Sequence, residues 1–137
     1  MAKAAEPIPR ESPVRILVVD DHAMVRVSVR TLLACNPQWD ICGEAENGDE
    51  SIQKVRELAP DLVILDITMP GMSGIEAARE IRRIAPDTKI LLLTIHDDPQ
   101  LDRLAHEVGA DALVLKAEAR TSLISEVQRL AGHNSTD

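Results

Sequence analysis

The chain has 137 residues, 45% hydrophobic and 28% charged, which suits one domain with a substantial core and is too short for two. Its formal net charge of −8 sets most of its surface against a nucleic-acid backbone, so direct nucleic-acid binding is not expected. No aliphatic run approaches the ~20 residues of a membrane span and no apolar signal core opens the sequence, so a cytoplasmic, membrane-free protein is expected.

Neither Phe nor Tyr occurs and Trp occurs once, so the core must be aliphatic. Residues 1–13 mix Pro, Ala and charge without periodicity and read as a disordered tail, residues 14–131 as one domain, and residues 132–137 as a C-terminal tail. The first strand is "RILVVD", 15–20, followed by a helical stripe of Val25, Val29, Leu32 and Leu33. "WDICGEA", 39–45, alternates, with Trp39, Ile41 and Ala45 on one side, as in a half-exposed edge strand. Ile52, Val55 and Leu58 form the second helical stripe.

"DLVILD", 61–66, is a continuous apolar run closed by an acid, and "TMPGMSG" after it is turn chemistry. Ser73 with Glu76 makes a capping box for a helix carrying Ala77, Ile81 and Ile84. After "KILLLT", 89–94, Asp98-Pro99 supplies an N-cap with Pro at N1, Leu101, Leu104, Ala105 and Val108 a stripe, and Gly109 a C′ glycine. "ALVLK", 112–116, is the last strand, and Ile124, Val127 and Leu130 mark the last helix. Continuous apolar strands alternating with amphipathic helices predict a doubly wound parallel α/β sheet of five strands and five helices, with its ligands at the carboxyl ends of the strands. Cys35 and Cys42 lack CxxC spacing and are expected to be small buried hydrophobes.

At those strand ends stand Asp20, Asp21, Asp66, Thr94 and Lys116. Converging carboxylates repel unless a cation lies among them, and an oxygen-only set implies Mg²⁺ or Mn²⁺; the absence of Cys or His pairs at ligand spacing argues against zinc. With a metal present, Asp66 could attack a phosphoryl group, and Thr94 and Lys116 could meet its remaining oxygens. His22 and His96 flank this edge and are expected to be solvated loop residues; Met24, Met69 and Met72 read as gap-fillers.

In order and spacing, "VVDD", "LVILDITMPGMSG", "ILLLT" and "GADALVLK" resemble the receiver domain of bacterial two-component response regulators, and "DDHAMVR" resembles its NarL/FixJ subfamily. The resemblance implies a flavodoxin-like sheet of order 2-1-3-4-5 and a phosphorylation-activated switch. Asp66 would be the phosphoacceptor; Asp21, Asp66 and the Thr68 backbone carbonyl would hold the metal, with Asp20 acting mainly through water. Lys116 would pair with the phosphoryl group, and Thr94 would move toward it and reshape the surface of the fourth and fifth helices. A sensor histidine kinase or phosphotransfer protein is the implied partner, with homodimerisation open, and no turnover enzyme is implied. The family's aromatic switch position, three residues before Lys116, is Leu113 here. Alternatives are a phosphorylation-independent docking or dimerisation module and, ranked lower, a Mg²⁺-dependent phosphohydrolase, which would need DxD where this chain has adjacent Asp20 and Asp21.

Overall fold

A computed structural model describes residues 12–132; the two expected tails lie almost wholly outside the described residues. Five strands, β1 (Val14–Val19), β2 (Trp39–Ala45), β3 (Leu62–Asp66), β4 (Lys89–Thr94) and β5 (Ala112–Leu115), form one parallel sheet of order β2-β1-β3-β4-β5. Helices α1 (Ala23–Leu33), α2 (Gly48–Leu58), α3 (Gly74–Ile84), α4 (Pro99–Glu107) and α5 (Ala119–Gly132) alternate with the strands, and a short 3₁₀ turn, Lys116–Glu118, precedes α5.

Alternate strand residues feed two cores. Leu17, Val19, Val63, Leu65, Ile90 and Leu92 pack under α2, α3 and α4, while Ile16, Val18, Ile64, Leu91, Leu93 and Val114 pack under α1 and α5. The central strands are therefore buried on both faces, which is why their sequences are unbroken aliphatic runs. Each fully buried Leu or Ile stabilises by roughly 1.5–3 kcal/mol, so the carboxyl ends of β1, β3 and β4 sit on the most rigid part of the molecule.

Caps set the helix starts. Ser73 Oγ accepts from Glu76 N while Glu76 accepts from Ser73 N, closing the expected capping box. Asp98 caps α4 ahead of Pro99, and Gly109 follows that helix with φ +82°. Asn47, whose side chain accepts from Glu50 N, caps α2.

Several expectations change. The pairing of β1 with β2 slips between Ile16 and Leu17, so that Ile16 faces Ile41 but Leu17 faces Gly43. One extra residue on β2 reverses its alternation: Trp39 and Ile41 pack with the α1/α5 core, whereas Ala45 joins the α2/α3 core. Trp39, Ile41 and Ala45 thus do not share a face. In α5 the deepest anchor is Leu123, fully buried with Val127 and Leu130, and Ile124 only flanks them. Leu104 is exposed, and α4 is anchored by Ala105, by Leu101 packed against the core and by Val108 at its C-cap. Cys35 is exposed in the turn after α1, and Met24 projects into solvent at 74% exposure, so neither fills a core gap. Cys42 is half-buried, and burial pushes its thiol pKa up, away from thiolate chemistry.

Candidate functional site

β1 delivers Asp20, and four contacts fix it. Its N–H donates to Ala45 O at 3.1 Å, and its carbonyl accepts from Arg26 Nη1 at 2.6 Å. Its Oδ1 accepts from His22 N at 2.9 Å, and its Oδ2 from Lys116 Nζ at 2.8 Å. The residue is 1% exposed, a burial that only such complete pairing makes tolerable.

β3 delivers Asp66, 3% exposed, with Lys116 Nζ 3.2 Å from its Oδ1. Burial, and then the charge of Asp20, push its carboxyl pKa up, while Lys116 and the Thr68 backbone amide pull the other way. The following loop folds back closely: Ile67 N donates to Leu93 O at 2.9 Å and Gly74 N to Ile67 O at 2.7 Å. A Cβ on Gly74 would lie 2.1 Å from Asp66 O, so this glycine is required for the loop to pass the site.

Lys116 opens the turn after β5 and reaches back across the sheet edge. Burial alone would lower its pKa, but the hydrogen bond from its ammonium to Asp20 and the fields of Asp66 and Asp20 outweigh that, and the pKa rises. Asp20, Asp66 and Lys116 therefore meet as the sequence leads one to expect.

Asp21 follows Asp20 directly in the chain. Its Oδ1 is buried without a hydrogen-bond partner, and it shares a cluster with Asp20 and His22 whose ligand atoms all lie within 4.8 Å of one another. Asp66 is outside that cluster and joins it through Lys116. Thr94, at the end of β4 and 1% exposed, is turned elsewhere: its Oγ1 accepts from His96 N at 3.0 Å. Among the described residues no hydrogen bond joins Thr94 to Asp66 or Lys116.

Thr94 and Leu113 instead border a groove of about 200 Å³ between α4 and α5, whose rim carries Asp97, Asp98, Asp102 and Glu118. Leu113 is half-buried against the α2/α3/α4 core.

A profile of the response regulator receiver domain matches residues 16–128. The chain belongs to the response regulator receiver family. The transcriptional regulatory protein DegU of Brevibacillus brevis is 33% identical over 121 residues, 88% of this chain and 51% of DegU. A two-component response regulator of the LuxR family from Aurantimonas sp. SI85-9A1 has a similar structure, with TM-score 0.83, 37% identity, and coverage of 88% of this chain and 87% of that one. The signal receiver domain of NarL from Mycobacterium tuberculosis gives TM-score 0.82 at 32% identity, covering 88% of this receiver and 98% of that chain. The receiver spans about half the length of the curated relatives it matches, 51%, 59% and 56% of the first three. It is of the kind found in NarL- and LuxR-type regulators, and its fold is the flavodoxin-like one expected.

Receiver domains generally use Mg²⁺, and the residues present in this receiver fit a divalent cation. Three carboxylates collect at one sheet edge with the Lys116 ammonium near them, and among the described residues the buried Asp21 Oδ1 makes no hydrogen bond.

Two contributors escaped sequence reasoning. Arg26 holds the Asp20 carbonyl and at the same time donates to Glu44, which also pairs with Arg30. Arg26 closes the "DDHAMVR" stretch, which Arg30, the other α1 arginine, does not, but its hold on Asp20 arises where α1 crosses β2 and no sequence pattern shows that. Gly74 was legible as a glycine near a turn, but the close approach of Asp66 O that demands it was not.

Proposed function

We propose that Asp66 is the phosphoacceptor of this receiver, taking its phosphoryl group from the phosphohistidine of a sensor histidine kinase or of a phosphotransfer protein. The observation that carries this reading is the Lys116 ammonium, held 2.8 Å from Asp20 and 3.2 Å from a buried Asp66. An Asp66 carboxylate oxygen attacks phosphorus, the P–N bond of the donor breaks with its electron pair returning to the imidazole, and an acyl phosphate remains on Asp66. Lys116 then pairs with a phosphoryl oxygen, and Thr94 exchanges its contact with His96 N–H for another.

Asp20, Asp21, Asp66 and the Thr68 backbone carbonyl are the residues that would hold Mg²⁺ or Mn²⁺. The chemistry such a cation supplies is neutralisation of charge on the transferring oxygens. Around it, Gly74 keeps the loop tight on Asp66, and Arg26 keeps Asp20 in register.

The cycle is stoichiometric, with loss of the phosphoryl group to water resetting the switch rather than defining a turnover enzyme. Thr94 and Leu113 adjoin the α4/α5 groove, so the change at Asp66 is read there, in the cytoplasm, by a partner protein or a second copy of the chain. The formal charge of −8 argues against direct nucleic-acid binding by this chain.

Intact mass of the protein and its Asp66→Asn variant, each incubated with Mg²⁺ and a small acyl-phosphate donor, tests the proposal. One added phosphoryl group on the unmodified protein alone is expected. No adduct on either would leave the docking-module reading, and donor consumption without an adduct would leave the phosphohydrolase.

A further inference from the structure

We propose that His22 is a nitrogen ligand in a divalent-metal site with Asp20 and Asp21, tilting this receiver from Mg²⁺ toward first-row transition ions such as Mn²⁺, Co²⁺ and Zn²⁺. The inference rests on the proposed metal role of Asp20 and Asp21 and adds the residue that sets which ion they hold.

His22 Nδ1 lies 3.3 Å from Asp21 Oδ1 and 3.5 Å from Asp20 Oδ1. Metal–ligand bonds of roughly 2.0–2.2 Å, at ordinary coordination angles, put neighbouring donor atoms about 2.8–3.6 Å apart. Both distances from His22 Nδ1 fall in that range, and ligand atoms of the three residues all lie within 4.8 Å of one another. The imidazole does not satisfy Asp21, since the buried Oδ1 makes no hydrogen bond despite its proximity.

The two oxygens of Asp20 are divided in a way that leaves one of them a lone pair for the ion. Oδ2 takes the Lys116 ammonium, while Oδ1 accepts one backbone N–H from His22 and keeps a second lone pair. An ion on the Oδ1 side therefore needs no displacement of Lys116. The His22 ring is 70% exposed, so the ion has an open approach and positions left for water.

Mg²⁺ strongly prefers oxygen and gains little from an imidazole, whereas affinity for nitrogen rises along the first-row series toward Cu²⁺. A closed structural zinc site takes Cys or His pairs at ligand spacing, which this sequence lacks. A set of two carboxylates and one imidazole with open positions is a different site.

Calorimetric titration of the full chain, His22→Ala and His96→Ala with Mg²⁺, Mn²⁺ and Zn²⁺ separately, with Co²⁺ visible absorption as a ligand-field readout, tests it. His22→Ala should weaken Zn²⁺ and Co²⁺ by at least about tenfold and change the Co²⁺ spectrum, with Mg²⁺ affinity nearly unaltered and His96→Ala like the unmodified protein. Zn²⁺ affinity and Co²⁺ spectrum unchanged in His22→Ala, with Mg²⁺ binding intact, would overturn this inference alone. Failure of the unmodified protein to bind any of the four ions would overturn it together with the metal role of Asp20 and Asp21.

Discussion

Lys116 binds Asp20 across 96 positions of chain, its Nζ donating to Asp20 Oδ2 at 2.8 Å. The ammonium thus stands as a resident counter-charge in the acidic pocket, nearer to Asp20 than to Asp66 at 3.2 Å. Removing it leaves two buried carboxylates facing each other, a change that costs up to about 3–5 kcal/mol when one partner of a buried pair is lost. Lys116→Ala should therefore unfold at lower urea concentration, and Mg²⁺ should restore more stability to the variant than it adds to the unmodified protein. Urea titrations with and without Mg²⁺ measure both, and an equal Mg²⁺ increment in the two proteins would contradict the counter-charge role.

Asp66 should show the opposite sign. Its carboxyl pKa is raised in the folded protein by burial and by Asp20, so the folded state holds this proton more tightly than the unfolded chain does. Its ionisation consequently destabilises the fold: the penalty is absent below the unfolded value near 3.8 and grows as pH rises from there through the folded pKa. Asp66→Asn should be more stable than the unmodified protein at pH 7, by about 1 kcal/mol, the usual scale of a favourable single change. The gap should close as pH falls toward 3.8, which thermal melts across pH 3 to 7 would follow.

These charges were legible before the structure because a parallel sheet sends every strand's carboxyl end to one edge, so that Asp20, Asp66 and Lys116 had to converge. The continuous aliphatic runs disclosed the strand count for the same reason: both faces are covered. What sequence could not disclose depends on register and crossing geometry. The slip opposite Ile16 moves Ala45 to the other core, and no periodicity carries that information. Thr94 stands at the predicted strand end, yet its Oγ1 accepts from the amide of His96, a local contact that competes with any role at Asp66. Leu123 and Ile124 are both apolar and adjacent, so only packing decides which is the anchor.

Glu44 carries a pH dependence away from the phosphorylation chemistry. Burial alone would raise its pKa, but hydrogen bonds from Arg26 and Arg30 outweigh it and hold the carboxyl below its ordinary value of 4.5. That pairing contributes stability fully present above the unfolded pKa and lost as pH falls through the folded one. The partners are partly exposed, so the contribution is on the order of 0.2–1 kcal/mol. Glu44→Gln should be less stable than the unmodified protein at pH 7 and indistinguishable well below pH 4.5; a gap that persists in acid would assign the loss to packing.

The Asp66–Gly74 approach predicts a sharp contrast between two glycines. A Cβ at position 74 would sit 2.1 Å from Asp66 O and 2.7 Å from Ile67 Cα, both backbone atoms that cannot yield without moving Asp66. At Gly71 a Cβ meets nothing within 4 Å, and only its φ of +78° opposes substitution. Gly71→Ala should cost about 1 kcal/mol and leave phosphorylation rate unchanged. Gly74→Ala should cost several-fold more in stability and slow phosphoryl uptake in the intact-mass assay, because the clash is resolved only by displacing Asp66 or its loop.

Leu113 stands where the proposed switch would be read. It borders a groove of about 200 Å³ alongside Thr94, on the face where α4 and α5 flank β5. A leucine there is anchored in the aliphatic core rather than swinging between core and solvent, so the coupling between Thr94 and the groove is expected to be weaker than an aromatic ring would provide. Leu113→Tyr should be tolerated within about 1 kcal/mol, since the larger ring can extend into the groove instead of overpacking the core. Phosphorylation should then shift amide resonances of α4 and β5 further in the variant than in the unmodified protein. If the two shift patterns coincide, the side chain at position 113 does not limit the readout, and the signal passes through movement of the β4–α4 loop around Ile95 and His96 rather than through a side-chain rotation in β5.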